Sequence, residues 1–186
     1  MVAQDIQTIK SNLLKKLKKD AFFKEKVVLS SGKESNFYID ARLVTLTSEG
    51  AFLTASIILD LIKDLNIDAI GGPTLGADPM VGAIAALSYL ANKPLSTFIV
   101  RKAPKPHGRM RHIEGPVLKD GARVVLIDDV ATTGKSLVEA IEKLRQDGVR
   151  VLKAIVLIDR KEGASEILAQ HGCPLISIFN SSDFLT

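Results

Sequence analysis

Apolar residues near the start of the chain recur at helical spacing. Ile6, Ile9, Leu13, Leu14 and Leu17 form one stripe and predict an amphipathic helix over residues 5–19. The stretch "VVLSSGKESNFYIDARLV" places strand-like runs on either side of a polar centre, the pattern of a hairpin. From Ser48 to Leu65 the chain is apolar on most sides and predicts a buried helix. An alternation follows. "IDAIGG", "PLSTFIVR", "ARVVLIDD", "VRVLKAIVLIDR" and "PLISIF" predict strands, and "GADPMVGAIAALSYLAN", "GKSLVEAIEKLRQDG" and "EGASEILAQHG" predict helices between them. Strands rich in Val, Ile and Leu that alternate with helices imply an α/β fold with a mainly parallel sheet covered on both faces. In such sheets ligands bind beyond the carboxyl ends of the strands. The polar segments Gly71–Asp78, Asp128–Ser136 and Asp159–Gly163 fall there, with the loop after Arg101.

Composition narrows the picture. With 186 residues, 46% of them hydrophobic, the chain suits one packed domain rather than a disordered segment. The first 45 residues stand outside the alternation and are expected to form a small subdomain over one end of the sheet. One cysteine, Cys173, excludes an internal disulfide and a cysteine-rich zinc site, which fits a reducing cytoplasm. No apolar run reaches membrane-spanning length, since Asp60 cuts "AFLTASIILDLI", and "MVAQDIQTIK" lacks the pattern of a signal peptide. The net charge of +4 is modest, but its distribution is not. Residues 101–112, "RKAPKPHGRMRH", hold Arg101, Lys102, Lys105, Arg109 and Arg111 without a carboxylate. Prolines and the absence of periodicity make this a loop, and its charge calls for an anionic ligand: a phosphate in preference to nucleic acid. The basic cluster in "KSNLLKKLKKD" reads as a solvated helix face.

The segment "VVLIDDVATTGKSLVEA" ends like a nucleotide-binding phosphate loop, Gly134-Lys135-Ser136, but Asp129 stands where that loop has its first glycine. A strand, a small-residue turn and a helix start make an anion site from backbone N–H groups of Ala131 to Ser136, with hydroxyl donors on Thr132, Thr133 and Ser136. Asp128 and Asp129 cannot meet a phosphate favourably, but they can accept hydrogen bonds from hydroxyls beside it. A phosphate flanked by a diol is a ribose 5-phosphate. The plainer alternative, an Asp N-cap before a threonine-rich helix start, requires one Asp rather than two.

These residues resemble a known family. "VVLIDDVATTGKS" is similar to the signature of type I phosphoribosyltransferases, which bind phosphoribosyl pyrophosphate (PRPP). "RKAPKPHG" resembles the mobile loop of the orotate phosphoribosyltransferases, "SSGKESNFYID" their N-terminal hood and "DRKEG" their late strand-end motif. The likeness runs from Phe23 to Gly163 at least. It implies the type I phosphoribosyltransferase fold as one domain over 1–186, with a helix and hood in 1–45 and a PRPP-binding core in 46–186. It implies displacement of pyrophosphate from C1 of PRPP by N1 of orotate, giving orotidine 5′-monophosphate in pyrimidine biosynthesis. Arg101, Lys102, Lys105 and His107 are then expected at the pyrophosphate. Asp128, Asp129, Val130, Ala131, Thr132, Thr133, Gly134, Lys135 and Ser136 are expected around the ribose 5-phosphate. Thr132 and Arg160 are expected near orotate. Lys105, His107, Asp128 and Asp129 are the candidate catalytic residues. The likeness also implies a cytoplasmic homodimer whose 101–112 loop acts in the neighbouring subunit, with neither nucleic acid nor membrane as partner. The chain departs from some relatives at Ser30, where they carry a lysine, and at Leu75 and Gly76, where they carry Tyr-Lys.

The chemistry so implied passes through an oxocarbenium-like state and needs positioning, exclusion of water and charge neutralisation rather than a covalent nucleophile. Mg2+ suits a pyrophosphate leaving group and is expected to be held mainly by substrate phosphates and ribose hydroxyls. Arg160 matches the carboxylate of orotate with a bidentate fork, or else is a surface cation beside a helix. Phe37 and Tyr38 lie either against the base or in the hood core. Lys33, His112 and His171 read as solvated surface residues. Two other functions remain open on residues alone: a phosphoribosyltransferase for another base, and a PRPP-sensing or RNA-binding regulator on the same fold.

Overall fold

A computed structural model describes residues 5–28, 34–103 and 112–185. Helix α1 (Ile6–Asp20) buries Ile9, Leu13 and Leu17 of the predicted stripe, and Lys18 and Lys19 lie in its last turn, at the negative end of the helix dipole. The predicted hairpin is present as two nested antiparallel ladders. Strand β1 (Phe22–Phe23) pairs with β4 (Tyr38–Ile39), and β2 (Val27–Val28) pairs with β3 (Glu34–Ser35). Its turn, with Ser30 and Lys33, lies outside the described residues. A short helix α2 (Arg42–Thr45), too brief to show a period in sequence, leads to α3 (Ser48–Ile62), whose start is capped by the Thr47 hydroxyl accepting from the Gly50 N–H at 3.1 Å.

The main sheet has six strands in the order β10-β9-β8-β5-β6-β7. These are β5 (Ala69–Pro73), β6 (Ser96–Val100), β7 (Ile113–Glu114), β8 (Arg123–Ala131), β9 (Arg150–Asp159) and β10 (Leu175–Asn180). The first five in that order run parallel, as the alternation predicts. The edge strand β7 runs antiparallel to β6, and two residues were too few to announce it in sequence. Helices α4 (Asp78–Leu90), α5 (Lys135–Gln146), α6 (Ala164–Gln170) and α7 (Ser182–Leu185) complete the chain. No helix among the described residues is long and apolar enough to cross a membrane.

The central strands are buried on both faces and alternate between two cores. On β8, Val125 and Ile127 pack with α1, α3 and α4, while Val124 and Leu126 pack with Leu137, Ile141 and Leu144 of α5 and Leu168 of α6. On β9, Ile155 and Leu157 face the first layer and Ala154 and Val156 the second. Each such Val, Leu or Ile contributes about 1.5–3 kcal/mol by leaving water. The chain winds from β5 to β6 on one side and then returns to place β8 on the other side of β5. The strand order therefore reverses between β5 and β8, where such sheets open a crevice at their carboxyl ends.

Candidate active site

Two carboxylates stand at that crevice. The strand predicted over "ARVVLIDD" carries Asp128 and Asp129 and continues two residues further, to Ala131, so both are presented by a strand braced by β9. Asp128 is buried and accepts hydrogen bonds from the Asp129 N–H at 3.0 Å and the Ser136 hydroxyl at 3.2 Å. Asp129 accepts from the Val130 N–H at 2.7 Å. Burial, and then the neighbouring Asp129 charge, push Asp128 well above the usual carboxylate range. Burial raises Asp129 as well, opposed by its hydrogen bonds and by the positive charge of Arg42. Arg42 is itself held by Asp40 through Nε at 2.9 Å and Nη2 at 3.1 Å. Nothing in the local sequence connects residues 40 and 42 with 129; only folding of the hood over the sheet brings them into range.

The loop after β5 closes on the same carboxylates. A Cβ at Gly76 would land on the Oδ1 atoms of Asp128 and Asp129, so any side chain there requires the carboxylates or the loop to shift. Leu75 beside it is exposed. The Thr74 hydroxyl donates to Asp78 Oδ2 at 2.8 Å, tying the loop to the start of α4.

Beyond the carboxylates the chain turns through Thr132 and Thr133, both half-buried, to Gly134. Gly134 has φ +78°, a left-handed conformation, and a side chain there would also collide with Leu168 and Ile167 of α6. Helix α5 begins at the next residue, so Lys135 and Ser136 occupy its exposed first turn. The Ser136 hydroxyl, expected as a phosphate donor, turns instead to Asp128, whose buried carboxylate needs donors.

Arg160 follows β9 directly, and its N–H donates to the Ala131 carbonyl at 2.9 Å, which joins it to the end of β8. It is not the surface cation that a residue beside a helix suggests, because it is only 5% exposed. Nε donates to Glu162 Oε1 at 2.9 Å, Nη2 donates to Ser35 Oγ at 2.9 Å, and the guanidinium lies 4.4 Å from the centre of the Phe37 ring. Phe37 thus serves the hood core, 5.7 Å from the Phe22 ring, and stacks on Arg160 as well. Tyr38 stacks on Phe23. Ser35 and Glu162 went unnoticed in sequence. Ser35 lies 125 positions from Arg160, and Glu162 passed as one more charge in a polar turn.

The basic loop is anchored at both ends. Pairing of β6 with β7 extends to the Arg101 N–H, which donates to the His112 carbonyl at 2.8 Å. Arg101 forms an ion pair with Glu114 at 3.2 Å, a carboxylate just beyond the stretch that looked free of them. Lys143 of α5 donates to the carbonyls of Arg101 and Lys102 at 3.0 and 3.1 Å. Lys105, His107, Arg109 and Arg111 lie outside the described residues. His112 and His171, read as surface residues, are half-buried, and His171 Nδ1 lies 2.9 Å from the Ile167 carbonyl.

Residues 45–176 match the model of the phosphoribosyl transferase domain. The orotate phosphoribosyltransferase of Aquifex aeolicus is 43% identical over 157 residues, which cover 84% of this chain and 85% of that protein. Among solved structures, Mycobacterium tuberculosis orotate phosphoribosyltransferase in complex with Fe(III) dicitrate superposes with a TM-score of 0.82 at 32% identity, covering 95% of this chain and 98% of that one. The same enzyme in complex with PRPP gives a TM-score of 0.78 at 28% identity over 96% and 99% of the two chains. Sequence likeness, fold and strand-end chemistry agree, and the chain belongs to the orotate phosphoribosyltransferases, within the type I phosphoribosyltransferase family.

Proposed function

We propose a division of labour among these residues in the reaction of the family, transfer of the 5-phosphoribosyl group of PRPP to orotate with release of pyrophosphate and formation of orotidine 5′-monophosphate. The observation that carries it is the pair of buried carboxylates at the end of β8, flanked by a glycine-started helix and, one strand over, by a buried guanidinium. Asp128 and Asp129 accept from the two ribose hydroxyls. The turn from Val130 through Ala131, Thr132, Thr133 and Gly134 to Lys135 and Ser136 takes the 5-phosphate on backbone N–H groups and the Thr132 and Thr133 hydroxyls. Arg160 meets the orotate carboxylate, and Thr132 borders the base.

The loop from Arg101 supplies the pyrophosphate side. Lys102, Lys105 and His107 neutralise or protonate the leaving group, and Lys105 and His107 act in the active site of the neighbouring subunit of a homodimer. Among the described residues no three or more His, Cys, Asp or Glu side chains gather as a metal site. Two carboxylates beside a phosphate turn fit Mg2+ carried by substrate oxygens, which neutralises pyrophosphate charge when bound. We read the chain as one domain, a hood of 1–45 over a core of 46–186, working in the cytoplasm without nucleic acid or membrane.

The test is turnover of the purified protein with PRPP and Mg2+ against orotate, uracil, adenine and hypoxanthine, before and after chelation of the metal. Consumption of orotate alone, abolished by chelation and restored by Mg2+, supports the reading. Preference for another base, or full activity without a divalent ion, refutes it.

A further inference from the structure

Arg160 is held on more sides than substrate binding requires. Nε and Nη2 form the side edge of the guanidinium, and both are engaged: Nε by Glu162 Oε1 and Nη2 by Ser35 Oγ, each at 2.9 Å. The Phe37 ring, 4.4 Å away, covers one face. A guanidinium has five donors in a fixed fork, so filling the side edge leaves the end edge, Nη1 with the second hydrogen of Nη2, for a planar carboxylate. Ser35 is an adaptable partner, since its hydroxyl also donates to the Phe37 carbonyl at 2.9 Å. Glu162 is the charged one.

The backbone aims Glu162 at this task. It sits between Lys161 at φ +61° and Gly163 at φ +105°, a left-handed residue on either side. A left-handed backbone is strained for lysine, which has a Cβ. The turn is held in compensation by Asp159, which accepts from the Lys161 N–H at 2.8 Å and pairs with its ammonium at 3.3 Å. Glu162 Oε2 is buried and meets no donor among the described residues. Glu162 is tied to the fold through Arg160.

We infer that Glu162 is a positioning residue for the orotate site: it occupies Nε of Arg160, fixes the plane of the guanidinium and so determines which edge receives the substrate carboxylate. This rests on the reading that Arg160 meets orotate. The arrangement has an electrostatic consequence. Glu162 cancels much of the Arg160 charge, so recognition depends on the direction of the fork rather than on bulk attraction of anions, and the 5-phosphate and pyrophosphate of PRPP are not drawn into the base site.

Steady-state kinetics of four variants test the inference. Glu162→Ala frees the guanidinium to rotate and should raise KM for orotate about tenfold, the worth of roughly 1.4 kcal/mol of lost orientation. KM for PRPP should stay within twofold. Glu162→Gln retains an acceptor for Nε and puts its amide where Oε2 had no donor, so it should recover most of the loss. Arg160→Ala should raise KM for orotate further, and adding Glu162→Ala to it should raise KM no more, because Glu162 supports binding only through Arg160. If Arg160→Ala raises KM for orotate and Glu162→Ala does not, the positioning role is wrong and the Arg160 reading stands. If Arg160→Ala leaves KM for orotate unchanged, the Arg160 reading itself fails. Equal rises in both Michaelis constants for Glu162→Ala, or no recovery with Glu162→Gln, overturn the inference in favour of a structural role. Should Glu162→Ala not fold, Glu162→Asp, too short to reach Nε, takes its place with the same expected outcomes.

Discussion

Replacing Asp128 and Asp129 together by asparagine separates the function of the cradle from its cost. Asparagine keeps the shape: its carbonyl oxygen can still accept from the Asp129 N–H and the Val130 N–H, and at 128 its amide N–H can donate to the Ser136 hydroxyl in place of the bond that Ser136 now donates to the second carboxylate oxygen. The ribose hydroxyls, however, would meet neutral acceptors. A hydrogen bond to a charged group contributes about 1.5–3 kcal/mol and a neutral one about 0.5–1.5, so two such exchanges lose roughly 2–3 kcal/mol. That is roughly 30- to 150-fold in Kd for PRPP. Stability should move the other way. Both carboxyls are raised above their ordinary value, first by burial and, for Asp128, then by the charge of Asp129. The folded state therefore binds protons more tightly than the unfolded chain. Its stability falls as pH rises from the ordinary carboxylate value, about 3.9, through the raised folded values. The double variant lacks this loss, so it should melt higher than the parent at neutral pH and show a flatter stability profile above pH 4. Titration calorimetry with Mg2+ and PRPP reads the first effect, and scanning calorimetry across pH reads the second. A folded double variant that binds PRPP within twofold of the parent would refute the cradle, and one that melts lower at neutral pH would refute the electrostatic account.

Arg160→Lys keeps the charge but loses the planar fork, the Glu162 and Ser35 contacts and the stacking on Phe37. KM for orotate should rise at least tenfold and that for PRPP less, and the reverse ratio in steady-state kinetics would move Arg160 to the phosphate side. Gly76→Ala forces a methyl group onto the Asp128 and Asp129 carboxylates, so it should cost about 1–3 kcal/mol in denaturant titration and weaken PRPP binding, with unchanged affinity contradicting the close approach of the loop. Lys105→Ala should lower kcat with little effect on orotate binding, because the charge that Lys105 meets develops as pyrophosphate leaves. Mixed with the Asp128→Asn/Asp129→Asn chain, it should recover activity in heterodimers that draw the loop from one chain and the cradle from the other, and no recovery after subunit exchange confirmed by mass spectrometry would exclude a loop acting in trans.

The sequence by itself determined the layered α/β architecture, because each layer is written in local periodicity. Val124 to Ile127 and Ala154 to Ile158 are apolar without interruption, and only a strand covered on both faces buries such a run. The proposed cradle is also read from it, since strand, paired aspartates, threonines and glycine are contiguous from Val124 to Ser136 and their chemistry can be read in order. Partnerships between distant segments were decided only by the tertiary structure. Ser35 and Phe37 reach Arg160 because the hood folds over the end of β9, and Arg42 comes within range of Asp129 for the same reason. Gly76, which looked like a departure from relatives, turned out to be a point of contact once β5 and β8 lay side by side. Periodicity is set by neighbours in the chain, but burial is set by neighbours in space. Burial is what raises the carboxyls of Asp128 and Asp129, draws the Ser136 hydroxyl to Asp128 and sets Arg160 among Glu162, Ser35 and Phe37.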